Sequence, residues 1–307
     1  MPKDKVVVTP TSFAEYDPTP LSLLKERGFK VIVNTFGRKL DKKEILKLSS
    51  GCIGIVAGTE VYDRDILEEL RGVKVISRCG VGIENVDIDA TNRLRIKVYN
   101  TPDVATSAVA ELTIGLILAL LRKITIMDRE MHDGLWKKRM GALLSGKQVG
   151  IIGFGRIGRK AAEMLKAMEA KVFYNDPLVT EEKAGIFPRV KFKELLRTSD
   201  IIILHLSYSR ENYRLLGQEE FSLMKKEAFL INCSRGSIVD ENALYLALKE
   251  GKLAGAAIDV FEQEPYNGPL KELNNIVLTP HIGSYAREAR KEMEMKAVRN
   301  LLKGLNI

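Results

Sequence analysis

The stretch VGIIGFGRIGRK, residues 149–160, places Gly153-x-Gly155-x-x-Gly158 directly behind an apolar run. In such a turn the first glycine permits the tight bend and the second lets backbone approach a pyrophosphate. The third lets the following helix lie close against its strand. Glycines at this spacing also arise by chance, so the flanking residues decide. Residues 147–152 (KQVGII) read as a strand, and 157–168 set Ile157, Ala161, Met164, Leu165 and Met168 at helical spacing. A second strand, 171–174, runs into Asp176, 23 positions beyond Gly153. An acid there can accept hydrogen bonds from a ribose, while the helix N-terminus offers unpaired N–H groups to a phosphate. A plain turn before Pro177 is the other use of Asp176. Taken with strand, turn and helix in order, Gly153, Gly155, Arg156, Ile157, Gly158 and Asp176 form the candidate dinucleotide turn.

That turn lies mid-chain because a different α/β region precedes it. Strands are expected at 5–9, 30–34, 53–57, 73–77 and 96–99, with helices between them at 19–28, 42–49, 64–71 and 87–93. Alternation of this kind means a parallel sheet covered on both faces. Asn100-Thr101-Pro102 interrupts it and a long helix is expected over 103–123. After the glycine turn, strands resume at 201–206, 228–232, 254–260 and 276–279, and a last helix is expected at 285–304. The fold class is therefore α/β, with two lobes built on doubly wound parallel sheets. The first lobe spans residues 1–99 plus 285–307 and the second spans 100–284.

Several classes are disfavoured. The most membrane-like run, 112–121 (LTIGLILALL), is about half the roughly 20 residues needed to cross a bilayer, so a buried helix is expected and no membrane partner. The N-terminal run MPKDKVVVTP is too short to be a leader and fits a strand. Cys52, Cys79 and Cys233 are odd in number and lack metal-type spacing, which suits a reducing cytoplasm and predicts no metal. The net charge of +8 raises nucleic acid, but basic residues are scattered among acids and form no arm, so no nucleic-acid partner is expected. The surplus suits anionic small molecules, or equally a lysine-rich surface without a specific role.

Ligands of open α/β sheets bind beyond the carboxyl ends of strands. Arg235 (INCSRGSIVD), Glu264 (AIDVFEQEP) and His281 (VLTPHIGS) all stand at such ends. Hydride exchange between a hydroxy acid and a nicotinamide needs a base for the hydroxyl proton and a cation for the carboxylate. Histidine suits the first role and the planar fork of arginine the second. Of the three histidines, His132 lies in a polar stretch and reads as surface. His205 and His281 both end strands, and spacing alone leaves both open.

Six segments resemble the D-isomer-specific 2-hydroxyacid dehydrogenase family, in that family's order. They are RCGVGIENVD (78–87), NTPDVATSAVAE (100–111), GIIGFGRIGRKAA (150–162), INCSRGSIVDENAL (231–244), GAAIDVFEQEP (255–265) and TPHIGS (279–284). The resemblance implies a flavodoxin-like substrate-binding lobe, a Rossmann-type NAD-binding lobe, closure of the lobes around substrate, and a homodimer formed through the cofactor lobe. It implies that Arg235 holds the substrate carboxylate and C2 oxygen, that His281 exchanges the proton, and that Glu264 partners His281. By the same resemblance, Val81 and Gly82 cradle the carboxylate with backbone N–H groups. Asp259 and the Cys233 carbonyl hold the nicotinamide amide, Thr106 or Ser107 touches the nicotinamide side, and His205 lines the cofactor cleft.

Within the family the chain is most similar to D-3-phosphoglycerate dehydrogenases, which implies interconversion of 3-phosphoglycerate and 3-phosphohydroxypyruvate on the route to serine. A glyoxylate/hydroxypyruvate-type reductase is the alternative. A phosphite dehydrogenase is disfavoured because Val81 stands where that relative has lysine. A non-catalytic NAD-sensing corepressor is disfavoured because Arg235, Glu264 and His281 occur together. The chain departs from the phosphoglycerate pattern at the exit of the third strand, where Val56-Ala57-Gly58-Thr59 replaces an expected arginine. Arg78 or the Lys137-Lys138-Arg139 cluster would have to supply a phosphate ligand instead. The family's His-x-Pro-x-Thr pattern reads His205-Leu206-Ser207-Tyr208-Ser209 here.

Overall fold

A computed structural model describes residues 4–307. Residues 1–3, which begin the expected first lobe and the segment read as carrying no leader, lie outside the described residues. The chain divides into two compact units, residues 1–105 with 284–307 and residues 106–283.

In the first unit the strands are β1 (Lys5–Val8), β2 (Lys30–Val33), β3 (Cys52–Ala57), β4 (Val75–Arg78) and β5 (Lys97–Tyr99). They are joined by α1 (Thr19–Glu26), α2 (Lys42–Ser49), α3 (Arg64–Glu69) and α4 (Ile88–Arg93). All pairings are parallel, in the order β2-β1-β3-β4-β5, the flavodoxin-like arrangement. Aspartates start three of the four helices. Asp41, Asp63 and Asp87 accept hydrogen bonds from the backbone N–H groups of Glu44, Ile66 and Ala90. Each satisfies one of the four otherwise unpaired donors at a helix start. One sheet face buries Val7, Ile55 and Ile76 against Ile45, Ile66, Leu67 and Ala90 of α2–α4.

The second unit begins with α5 (Thr106–Leu121) and α6 (Ile124–His132). Its strands are β6 (Gln148–Ile152), β7 (Lys171–Asn175), β8 (Ile201–Leu204), β9 (Phe229–Asn232), β10 (Gly255–Ile258) and β11 (Ile276–Leu278). The sheet is parallel throughout, in the order β11-β10-β9-β8-β6-β7. A single parallel bridge, Tyr174 to Arg189, extends it beyond β7. The order therefore reverses between β6 and β8, as in the dinucleotide-binding arrangement. α7 (Arg156–Ala167) and α5 pack together on one face. α8 (Glu181–Ala184), α9 (Phe192–Thr198), α10 (Gln218–Leu223) and α11 (Glu241–Lys249) occupy the later connections. The core on that side gathers Ile202, Leu230, Ala256, Leu195, Phe221 and Leu244, all at most 2% exposed. α12 (Arg287–Leu305) belongs to the first unit, where it packs on β3, β4 and β5.

The long helix is shorter than the expected 103–123 and is followed by a separate helix. Lys123, at φ 54°, breaks the run between α5 and α6. The division between units falls after Ala105 rather than at Asn100, because residues 100–101 remain bonded to the first unit. Asn100 Nδ2 donates to the Val81 carbonyl at 2.7 Å, and Thr101 N–H donates to the Gly80 carbonyl at 3.0 Å.

Candidate active site

The second unit's glycine turn is built to admit a phosphate. Gly153 follows β6 at φ +91°, and a Cβ on it would lie 2.5 Å from the His205 carbonyl oxygen at the exit of β8. Only glycine allows this crossing at the topological switch point. Gly158 is buried against the Gly153 carbonyl, whereas a Cβ on Gly155 would meet nothing within 4 Å. Gly155 and Arg156 are exposed and Ile157 is half-buried at the start of α7, so the helix N-terminus opens outward. Asp176, after β7, accepts hydrogen bonds from Phe154 N–H at 2.7 Å and Leu178 N–H at 2.9 Å. Its carboxylate thereby braces the turn and stands beside the glycines. Open space at Gly155, outward N–H groups and a fixed carboxylate fit a dinucleotide.

His205 follows β8 and its N–H pairs with the Ile152 carbonyl at 2.9 Å. Its Nε2 lies 3.4 Å from Thr113 Oγ1 on α5. The Thr113 hydroxyl already donates to the Val109 carbonyl at 2.8 Å, so Nε2 carries the proton and donates. Nδ1 is buried without a partner, although the residue keeps some exposure elsewhere. Burial pushes this imidazole down to about 4. A buried imidazole of lowered pKa is a weak base, and its Nε2 is taken up by Thr113, in contrast to the exposed ring of His281. Cys233 is buried too, and burial pushes its thiol up to about 12. Burial thus disfavours the reactive thiolate.

The three strand-end groups come from β9, β10 and β11. After β9, Asn232 Oδ1 accepts from Ser234 N–H at 3.1 Å and its hydroxyl at 2.8 Å, while Asn232 Nδ2 donates to the Arg235 carbonyl at 3.1 Å. This turn holds Arg235 half-buried, with Nη1 donating to the Ser234 carbonyl at 2.7 Å. The backbone of Gly236 packs directly on the Phe261 carbonyl, so the arginine loop abuts the loop carrying Glu264. There the Glu264 carboxylate accepts Phe261 N–H at 3.1 Å and contacts His281 Nδ1 at 2.9 and 3.1 Å. Both side chains are about half exposed to one third exposed, at 45% for His281 and 36% for Glu264. The imidazole is thus accessible, and its second nitrogen faces away from Glu264.

His281 has φ +55°, the left-handed region that non-glycine residues seldom occupy. Asp259, after β10, enforces it. The Asp259 carbonyl accepts His281 N–H at 2.8 Å, and its carboxylate accepts the Thr279 hydroxyl at 2.6 Å, Ile282 N–H at 2.8 Å and Gly283 N–H at 2.9 Å. Desolvation raises the Asp259 pKa against these bonds, which lower it. Asp259 therefore braces the histidine turn, a role that strand pattern could not reveal. Thr106 starts α5 and is half-buried.

In the first unit, Val81 and Gly82 are half-buried in the loop after β4, whose shape is held by Asn100 and Thr101. Arg78 ends β4, with Nε donating to Asn85 Oδ1 at 3.3 Å and Nη1 to the Cys79 carbonyl at 2.7 Å. Of the other suggested phosphate ligands, Arg139 forms a two-point ion pair with Glu130, through Nε at 2.8 Å and through Nη2. Exposed His132 lies 3.8 Å from Asp128. Among the described residues no three His, Cys, Asp or Glu gather as a metal set, and no helix is long and apolar enough to cross a membrane.

Residues 114–283 match the model of the D-isomer specific 2-hydroxyacid dehydrogenase, NAD binding domain. The chain belongs to this family. It is 43% identical over 258 residues to a glyoxylate reductase of Thermococcus litoralis, covering 80% of this chain and 77% of that one. It is 38% identical to a D-3-phosphoglycerate dehydrogenase of Archaeoglobus fulgidus, covering 94% of this chain but only 56% of that longer protein. A crystal structure from Thermus thermophilus superposes with a TM-score of 0.91 at 36% identity, covering 98% of this chain and 97% of the other. The protein is an NAD-dependent oxidoreductase acting on D-2-hydroxy acids.

Proposed function

We propose that this dehydrogenase interconverts a short, unphosphorylated 2-keto acid and its D-2-hydroxy acid, with Arg235, His281 and Glu264 as the catalytic set. The observation that carries the chemistry is the contact between His281 Nδ1 and the Glu264 carboxylate. It commits Nδ1–H to the acid and leaves Nε2 as the site of the mobile proton. When bound, NADH supplies the hydride to C2. His281 then gives its Nε2 proton to the C2 oxygen, producing the alcohol, and Glu264 holds the ring in orientation before and after. In oxidation the same nitrogen takes the hydroxyl proton. Arg235 grips the substrate carboxylate and polarises the C2 oxygen, as its planar fork allows. Thr106, His205, Cys233 and Asp259 stand on the cofactor side, where Asp259 also sets the His281 turn.

The absence of arginine at the exit of β3 supports a substrate without phosphate, since Ala57 and Gly58 stand there. The similarity to glyoxylate reductases supports the same choice. Arg78 and the similarity to phosphoglycerate dehydrogenases favour D-3-phosphoglycerate as the second reading. Steady-state reduction of glyoxylate, hydroxypyruvate and 3-phosphohydroxypyruvate with NADH tests the choice. The proposal expects the highest kcat/KM on an unphosphorylated acid, and a phosphorylated optimum refutes it. We further propose a homodimer. Ile124, Met131, Leu135, Trp136, Met140 and Leu143 are all at least half exposed within twenty residues, an apolar concentration that a second copy would cover.

A further inference from the structure

β5 is an outer strand of the first unit's sheet. Lys97 N–H pairs with the Lys74 carbonyl at 2.9 Å, on the β4 side. The alternation of a parallel ladder therefore turns the main chain of Val98 toward the open edge. Along that edge runs a groove of about 580 Å³, a size usual for small-molecule sites. Its lining is apolar at Ile83, Ile88 and Val98, and polar at Asn92 and Asn100. Two cations, Arg95 and Lys97, complete it, and no carboxylate lines it among the described residues. Lys97 Nζ donates to the Gly304 carbonyl at 3.0 Å, so its charge is held in place without being neutralised.

Arg95 occupies a backbone position that disfavours its residue type. It follows α4 at φ +56°, with its N–H on the Asn92 carbonyl at 3.2 Å. Ile96 N–H returns to the Thr91 carbonyl at 2.9 Å, which completes the helix-ending turn whose left-handed position glycine takes most readily. An arginine there holds its backbone against a steric cost that glycine would not meet. What that cost sets on the groove is an exposed guanidinium.

We propose that the groove along β5 binds a small oxyanion, a carboxylate or a phosphate, carried on a compact apolar body. Arg95 and Lys97 take the charged group, the guanidinium through its planar fork. Ile83, Ile88 and Val98 cover the apolar part. An added β-strand is not the occupant, because β5 has three residues and carries Lys97, and short length and lysine both guard a sheet edge against strand addition. Asn100 lines the groove and also donates to the Val81 carbonyl at 2.7 Å, so an occupant bears on the loop after β4. The site lies within the first unit and does not depend on the reaction proposed above.

The test titrates phenyl phosphate, phenylacetate and inorganic phosphate into the full-length protein by calorimetry, with NADH saturating so that the glycine turn is occupied. At least one phenyl anion should bind, about tenfold or more tighter than inorganic phosphate, and the tighter of the two identifies the charged group. Binding of neither overturns the proposal. Arg95→Gly should weaken that anion about tenfold or more while its thermal midpoint stays near wild type, because glycine suits the left-handed turn. Arg93→Ala removes an equal charge from α4 outside the groove and should leave binding unchanged. Unchanged affinity in Arg95→Gly overturns the proposal, and should that variant fold poorly, Lys97→Gln is read in its place by the same criterion. Hydrogen exchange followed by mass spectrometry should slow on binding within residues 80–83 and 95–101. Protection confined to residues 153–158 or 232–236 would put the anion at the glycine turn or beside Arg235, and the groove would be refuted.

Discussion

His205 makes the stability of the second unit depend on pH in a way that can be worked out beforehand. The folded imidazole is held near 4 by burial, against an ordinary value of 6.5. Above pH 6.5 the ring is neutral in both folded and unfolded chains and contributes no pH dependence. As pH falls from 6.5 toward 4, the unfolded chain binds a proton that the folded one refuses, so stability declines over that window. Below 4 both forms are protonated and the loss levels off at about 3 kcal/mol, following from about 1.4 kcal/mol per pKa unit. By pH 5 the decline from pH 8 is about 2 kcal/mol. Replacing the ring by His205→Gln removes the titration and retains a donor for Thr113. Urea unfolding of wild type and variant at pH 8 and pH 5, followed by circular dichroism, measures the difference. The variant should lose about 2 kcal/mol less than wild type over that interval, whatever its stability at pH 8. Parallel losses in the two proteins would refute the burial argument and show that the unpartnered Nδ1 finds a partner for its proton.

His281→Asn should lower turnover about a hundredfold or more in both directions with NADH binding intact by fluorescence, the usual scale of general acid–base catalysis. The control His205→Gln should lose far less. Asp176→Ala should raise kcat/KM with NADP relative to NAD at least about tenfold, since a 2′-phosphate no longer meets a carboxylate. Equal use of both cofactors by wild type would count against that role. Asp259→Ala should reduce kcat by about tenfold or more and leave hydroxypyruvate KM less affected, because the turn that strains His281 loses three acceptor bonds. Sedimentation at micromolar concentration should give a dimer, and a monomer there would refute the apolar-patch argument.

The elements readable from sequence were those with a strong period or a forced turn. β6, the glycine turn, α7 and β7 stood out because three glycines and an apolar rhythm agree over thirty residues. α8, α9 and α10 escaped, being four to seven residues long with little room for a repeating face. α11 carried a usable signal in Asp240, which caps it by accepting from Asn242 and Ala243 N–H groups. In the site, the types Arg235, Glu264 and His281 were legible at strand ends. That His281 meets Glu264, 17 residues away, depends on β10 and β11 lying side by side. The bracing by Asp259 was illegible for the same reason, because it is decided by residues that follow a different strand.

The terminal helix gives this chain an unusual order of completion during synthesis. β3, β4 and β5 are made early, yet the helix that covers their face, α12, comes after residues 106–283. At ordinary elongation rates of about 5–20 residues per second, the wait is roughly ten to forty seconds. Over that time the positions later occupied by Met293, Ala297, Val298 and Leu301 are vacant, and the Ser77 hydroxyl lacks the Ala297 carbonyl it donates to at 2.7 Å. The sheet of the first unit is therefore made before the second unit and closed after it. The nascent chain presents an unfinished apolar sheet for chaperones to hold, while residues 106–283 have every strand of their own sheet in hand before α12 is translated.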